Sequence, residues 1–361
     1  MLAEEKITKI SSASPARSLV LAHGWNSTSF QIVNPGIERW FAPEGDAVIG
    51  YVTANKTRIV VGAPVCDAGR TRSVATAFEM EAAEAGERVC YFGAEERLES
   101  IYTDSPDHTR FLLGAQPSWN LADWDGIVAR HGSLRAQLNR ARNKGLTVSE
   151  WPITRAHRNS ELENCSREWL ASKGLPPLHF MVESDILARL DGRRVFVAEL
   201  GGEIQGFVIL SPVVRRHGWL FEQFPHRPGA PNGTVETMID TAMRALASDG
   251  YHYATLGLSP LSMRVDAAKS GDPIWLRFLL AWMRKHGKRF YNFDGLDHFK
   301  AKLCPEKWEP VFAVSNESQV SFRTIYAITS AFSGSGPFRL LAGALTKAVR
   351  TELRWLKRRI F

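Results

Sequence analysis

The stretch Arg194-Val-Phe-Val-Ala-Glu-Leu-Gly-Gly-Glu-Ile-Gln-Gly-Phe-Val-Ile-Leu-Ser-Pro-Val213 decides how the chain is read. Two runs rich in β-branched and aromatic residues, Arg194–Leu200 and Ile204–Val213, flank Gly201-Gly202, the composition of a hairpin. Gly218–Gln223 reads as the next strand, and Thr234–Ser248 has the apolar period of a helix. Tyr253–Leu258 reads as a strand and Ile274–His286 as an apolar helix. The same order occurs upstream. Asp46–Ala54 and Lys56–Val61 predict a hairpin around Ala54-Asn55, which Gly62-Ala63-Pro64 ends. Thr71–Glu84 follows as a helix, Arg88–Phe92 as a strand and Glu95–Thr103 as another helix. Two successive hairpin–helix–strand units predict an α/β (α+β) fold of two similar lobes, with no repeat at the level of residues.

Composition is that of a globular protein: 361 residues, 44% apolar and 23% charged. Cys66, Cys90, Cys165 and Cys304 lie far apart, without metal-ligand spacing, which argues against a zinc ribbon or a disulfide framework. No apolar run approaches the roughly 18–20 residues that cross a bilayer. Met1–Arg17 lacks the apolar segment of a signal peptide. A cytoplasmic location is expected.

The net charge of +7 is concentrated at the C-terminus. Ser321–Phe361 holds eight cations against Glu352 alone, and the rest of the chain holds 37 of each sign. Beyond Ser333-Gly334-Ser335-Gly336-Pro337, the residues Phe338, Leu341, Leu345, Val349, Leu353, Leu356 and Ile360 share one helical stripe. Lys347, Arg350, Arg354, Lys357 and Arg358 fall opposite, with Trp355 at the boundary. This pattern suits a helix lying on an anionic membrane at the inner face of the plasma membrane. A helix packed on the domain with solvated cations is the plainer alternative, and RNA phosphate could also engage the cationic face. Leu134–Gly145 predicts a second basic helix, with Leu134, Leu138 and Ala141 inward and Gly145 at its end. Its Arg135, Arg140, Arg142 and Lys144 read either as a phosphate- or tRNA-binding ridge or as cations that offset the helix dipole. The divisions expected are an N-terminal lobe 1–133, a linker helix 134–146, a catalytic lobe 147–318 and a tail 319–361.

Several blocks occur in a distinctive order: His23-Gly-Trp-Asn-Ser-Thr-Ser-Phe30, the Asp46–Tyr51 strand, Gly62-Ala-Pro64, the basic helix, Glu168-Trp-Leu-Ala-Ser-Lys-Gly174 and His226-Arg-Pro-Gly-Ala-Pro-Asn-Gly233. They end in Phe290-Tyr-Asn-Phe-Asp-Gly-Leu-Asp-His-Phe-Lys300, continuing to Pro305-Glu-Lys-Trp-Glu-Pro310. Over roughly residues 18–315 the chain resembles the C-terminal catalytic region of the bacterial aminoacyl-phosphatidylglycerol synthases, the MprF family. The resemblance implies two GNAT-like lobes and transfer of an amino acid from aminoacyl-tRNA to a lipid hydroxyl.

Acyl transfer needs a placed nucleophile, a route for its proton and donors for the oxyanion. The N-terminus of the Thr234 helix, capped by Asn232 or Thr234, is a candidate for the donors. The preceding loop lacks the glycine-rich pattern of common coenzyme-A users, which argues against ordinary acetyl-CoA. Proton carriers are sought among Glu222, His226, Asp294, Asp297 and His298. Glu222 lies between aromatics on its strand, where burial would raise its pKa, although alternation could also turn it to solvent. Arg227 is a candidate anion clamp. Lys300 and Lys302, near Phe299 and Trp308, suit a phosphate of a tRNA end or a lipid head group. Asp294 or Glu309 could hold the α-amino group of the transferred residue. His298, Asn232 and Trp308 complete the expected substrate contacts. No resident cofactor or metal is expected, and the donor is aminoacyl-tRNA or an acyl thioester such as acyl-CoA. The competing functions are an N-acyltransferase moving a fatty acyl group onto a lipid or sphingoid amine, and a non-enzymatic membrane scaffold.

Overall fold

A computed structural model describes residues 14–173, 180, 185–265, 275–276 and 293–333. The chain builds one mixed sheet. Its strands are β1 (Glu38–Phe41), β2 (Val48–Ala54), β3 (Thr57–Val61), β4 (Arg88–Ala94), β5 (Thr109–Asn120), β6 (Thr147–Trp151), β7 (Arg194–Leu200), β8 (Glu203–Val213), β9 (Gly218–Gln223), β10 (Tyr253–Thr255), β11 (Ser259–Pro260) and β12 (Lys307–Ser315). Across the sheet they run β1-β2-β3-β4-β12-β5-β10-β9-β8-β7-β6, with β11 also paired to β5.

Each half contains the unit expected from the sequence. In the first, the β2–β3 hairpin leads through helix Thr71–Glu84 to β4, which pairs parallel with β3. In the second, the β7–β8–β9 meander leads through helix Thr234–Ser248 to β10, parallel to β9. Strands buried on both faces read as continuous apolar runs, which is why β3 and β4 are almost wholly buried. Helix Thr71–Glu84 sends Val74, Ala75, Phe78 and Ala82 into one core. Helix Thr234–Ser248 sends Met238, Ile239, Ala242, Met243 and Leu246 into another. Burial of each large apolar side chain contributes about 1.5–3 kcal/mol. Two similar hairpin–helix–strand units thus share one sheet.

The join between the halves was not legible. β12 comes from residues expected in the second lobe, yet it lies between β4 and β5 of the first. Helix Phe322–Ser333, at the start of the expected tail, packs on β2 and β3. At Gly114 a Cβ would stand 2.1 Å from the Ser259 carbonyl oxygen, so a glycine is required where β11 closes on β5.

Local differences have local causes. Glu95–Thr103, expected as one helix, forms two short turns, Glu96–Glu99 and Ser100–Tyr102. Tyr253–Leu258, expected as one strand, ends at Thr255 because Gly257 takes φ +67° and turns the chain away. The basic helix runs Gly132–Asn143, with Gly145 left-handed just past its end. The expected helix Ile274–His286 lies outside the described residues except for Trp275 and Leu276. The tail residues Lys347, Arg350, Arg354, Trp355, Lys357 and Arg358 also lie outside them.

Candidate active site

The parallel strands β9 and β10 keep register for only three pairs, Tyr253–Gly218, Ala254–Trp219 and Thr255–Leu220. Past Thr255 they part. The Thr255 hydroxyl donates to the Pro117 carbonyl and accepts the Gly257 amide, fixing the point of departure. Helix Phe293–Lys302 reaches this opening with Lys300. The Lys300 Nζ donates to the carbonyls of Gly257 at 2.8 Å and Leu258 at 2.9 Å, and the residue is 3% exposed. Burial lowers its pKa to about 7, against the opposing pull of Asp297. Asp297 itself accepts hydrogen bonds from Ser262 and from Arg264, whose guanidinium lies over Trp308.

On the other side of β5 stands Glu309. Strand register sets Glu309 opposite Gln116, and Ser259, the residue after Leu258, opposite the adjacent Ala115. Lys300 and Glu309 are thereby brought to flanking edges of the same short stretch of β5. The Glu309 carboxylate accepts from Gln116 Nε2 (3.0 Å), Ser118 Oγ (3.1 Å), Tyr253 OH (3.2 Å) and Arg216 (2.7 Å). Burial alone would raise its pKa, but Arg216 and the other donors hold it below the usual carboxylate value. Arg216 also reaches Glu95 at 3.1 Å, and its guanidinium lies over the rings of Trp25 and Tyr253. Glu95 accepts from the Ser27 amide at 2.7 Å, and burial raises its pKa despite Arg216. Two carboxylates therefore share one guanidinium, and Glu309, with its side chain 25% exposed, is the more accessible of the two.

The remaining candidates are distributed elsewhere. Glu222 is buried, but its carboxylate pairs at 2.8 Å with Arg193, which also donates to Asn34 and lies over Phe30. This contact clasps the two halves together. Arg227 donates to the Ile204 carbonyl and to Glu161 and Glu168, so both ends of its fork are occupied. It borders an open cavity of about 500 Å³ with Trp151, Arg155, Glu161, Glu203 and Ile204. His226 bridges to Gly206 on β8, with its Nδ1 2.9 Å from the Phe224 carbonyl oxygen. Asn232 is exposed, and the N-cap is Gly233 with φ +95°. Neither Asn232 nor Thr234 caps the helix, because Thr234 already lies in the first turn and its hydroxyl donates to Pro231. At Gly233 a Cβ would come within 2.5 Å of the Gln137 carbonyl oxygen, so the loop is pressed against the basic helix. Asp294 and His298 sit one turn apart on the Lys300 helix, where the His298 ring meets the Asp294 carbonyl. Lys302 is exposed.

On the basic helix, Arg142 pairs with the buried Asp240, and Arg135 donates to the end of the preceding helix, at Val128 and Ala129. Arg140 and Lys144 are exposed. Sequence reasoning missed Ser27, Glu95, Gln116, Ser118, Arg216 and Tyr253. The one available signal was that Ser27 lies inside the block His23–Phe30.

Comparison with known proteins agrees with this architecture. The family model described as "Phosphatidylglycerol lysyltransferase, C-terminal" matches residues 17–315. A phosphatidylglycerol lysyltransferase of Staphylococcus xylosus is 24% identical over 284 residues, covering 76% of this chain and 32% of that protein. The chain spans about a third of the length of the curated relatives it matches. Among solved structures, L-PGS from Bacillus licheniformis superposes with a TM-score of 0.70 at 20% identity, covering 88% of this chain and 96% of that one. The DUF2156 C-terminal domain of an Agrobacterium fabrum protein, named as a lysylphosphatidylglycerol synthetase, gives a TM-score of 0.73 at 24% identity and covers 89% and 96%. By the extent of the family match, the chain belongs to the phosphatidylglycerol lysyltransferase C-terminal family.

Proposed function

We propose that the chain transfers an aminoacyl group from the ester of aminoacyl-tRNA to a hydroxyl of a membrane lipid such as phosphatidylglycerol. The observation that carries this reading is Lys300 at the parting of β9 and β10. A lysine titrating near pH 7 is half neutral under ordinary conditions. A neutral amine has two N–H bonds, and here both are directed at backbone carbonyls, which leaves the nitrogen lone pair as the acceptor. The lipid hydroxyl oxygen attacks the ester carbonyl while its proton passes to that lone pair. Collapse of the tetrahedral intermediate breaks the ester bond, and the departing ribose oxygen takes the proton back. The net change is one ester exchanged for another.

Glu309 supplies the complementary charge. Its carboxylate, anchored by Arg216, has the charge to hold the α-ammonium of the aminoacyl group, and partial burial would strengthen that attraction. Arg140 and Lys144 on the basic helix suit the phosphates of the tRNA donor. Among the described residues no helix is long and apolar enough to cross a membrane. With a membrane lipid as acceptor, the chain would work at the inner face of the plasma membrane.

The test is mass spectrometry of phosphatidylglycerol vesicles incubated with the full chain and a mixture of charged tRNAs. A lipid mass increased by one aminoacyl residue, and abolished by ribonuclease, is expected. A fatty acyl increment from acyl-CoA that ignores ribonuclease would overturn the tRNA donor, and no increment from either donor would overturn the transferase reading.

A further inference from the structure

Helix Phe322–Ser333 has two unlike faces. Ala327, Ile328, Ala331 and Phe332 join the core shared with β2 and β3. Phe332 meets Phe92 at 4.9 Å and Phe180 at 5.1 Å between ring centroids. The opposite face carries Phe322, 71% exposed, and Tyr326, 38% exposed, with Arg323 exposed beside them. At 3.6 residues per turn, positions 322 and 326 lie about 40° apart on one side of the helix. Trp275 packs against Phe322 with ring centroids 4.4 Å apart and the rings tilted by 31°.

A single exposed phenylalanine needs no explanation. Here, however, aromatic side chains gather at the start of an amphipathic helix, and the sequence beyond Ser333 carries seven cations against Glu352 alone. Phe, Trp and Tyr beside cations form the pattern of a surface that enters the head-group region of an anionic bilayer. The one-sided positive charge of that sequence complements an anionic lipid surface. We propose that the outer face of helix Phe322–Ser333, with Trp275, is the surface through which the folded body inserts into an anionic lipid bilayer. The proposal rests on the lipid-acceptor reading above and says which face of the molecule meets the lipid. The same apolar core leads inward, because Leu258, whose carbonyl holds Lys300, packs against the same buried cluster as Phe332.

The experiment is flotation of the full chain with vesicles of phosphatidylglycerol and phosphatidylcholine, each repeated across salt concentrations. The double variant Phe322→Ser/Tyr326→Ser is expected to bind phosphatidylglycerol vesicles about tenfold or more weakly, since polar replacements forfeit the transfer of both rings. Phe322→Trp is expected to retain wild-type binding. A third variant, replacing Lys347, Arg350, Arg354, Lys357 and Arg358 by Gln, is expected to lose salt sensitivity while remaining dependent on Phe322. Phe322 is mostly exposed, so its substitution should leave Tm unchanged, and transfer to detergent-dispersed lipid should persist. Flotation of the double serine variant equal to wild type would overturn the proposal and leave the patch to a protein partner. Loss of transfer with flotation intact would instead count against the functional reading alone.

Discussion

The two parallel strand pairs, β3–β4 and β9–β10, are made by the same local unit and finished in opposite ways. β3 and β4 pair along all of Thr57–Val61, and the Gly62 amide continues the ladder to the Phe92 carbonyl. Ile59, Val60 and Val61 are fully buried there, so nothing enters between the strands. β9 and β10 separate after three pairs, and a buried amine lies at the opening. One pair serves as a wall and the other as a seat for chemistry. What differs is the second strand: β4 runs on to Ala94 through the left-handed Gly93, whereas β10 ends at Thr255, whose hydroxyl accepts the Gly257 amide. A fold repeated within one chain therefore does not imply a repeated site.

Breaking the open pair should have the largest effect. Lys300→Met preserves the length of the side chain and removes the proton acceptor, so aminoacyl transfer should fall by about 10²–10⁴-fold, the usual contribution of a placed acid or base. Single-turnover kinetics, with circular dichroism as a check on folding, measure it. Lys300→Arg should not restore the rate, because a guanidinium stays charged. The same variant sharpens the comparison through stability. Between about pH 7 and 10.5 the unfolded lysine binds a proton that the folded one does not, so wild-type stability should rise with pH across that window. Lys300→Met should lack this rise in urea titrations.

Next comes the shared guanidinium. Arg216→Met leaves Glu95 and Glu309 buried without their cation and should cost about 3–5 kcal/mol in urea unfolding. In the closed pair, Ile59→Ala should cost about 2–5 kcal/mol yet leave kcat near wild type, since it opens a void in the wall rather than the site. If Ile59→Ala removed activity from a protein still folded at the assay temperature, the contrast between the two pairs would fail. The smallest effect belongs to the ridge: Arg140→Gln/Lys144→Gln should raise KM for charged tRNA severalfold. It should also reduce the slope of log affinity against log salt by about 2.

Elements with a clear period were legible from the chain: both hairpins, helix Thr71–Glu84 and helix Thr234–Ser248 emerged where residue spacing placed them. β5 and β12 did not, because Pro117 and Pro310 inside them argue against central strands. Pro310 is tolerated next to a register shift between Val311 and Phe312, and Pro117 falls in the gap between the β10 and β11 pairings on β5. The site was half legible for a similar reason. Lys300 and Glu309 lie in one recognisable block, whereas Arg216 lies 93 residues before Glu309, Glu95 lies further still, and neither carries a local mark. Glu222 was marked by its strand, but its partner Arg193 could be found only once β7 and β9 were set beside β8. Arg227 had the chemistry of an anion clamp, and only the fold shows that Glu161 and Glu168 occupy it.

The most direct test of the role given to Lys300 is the pH dependence of lipid aminoacylation in wild type and in Lys300→Met. The wild-type rate should climb through about pH 7 to a plateau as Lys300 loses its proton, and the residual rate of the variant should lack that limb. A wild-type limb that survives unchanged in Lys300→Met would contradict the account.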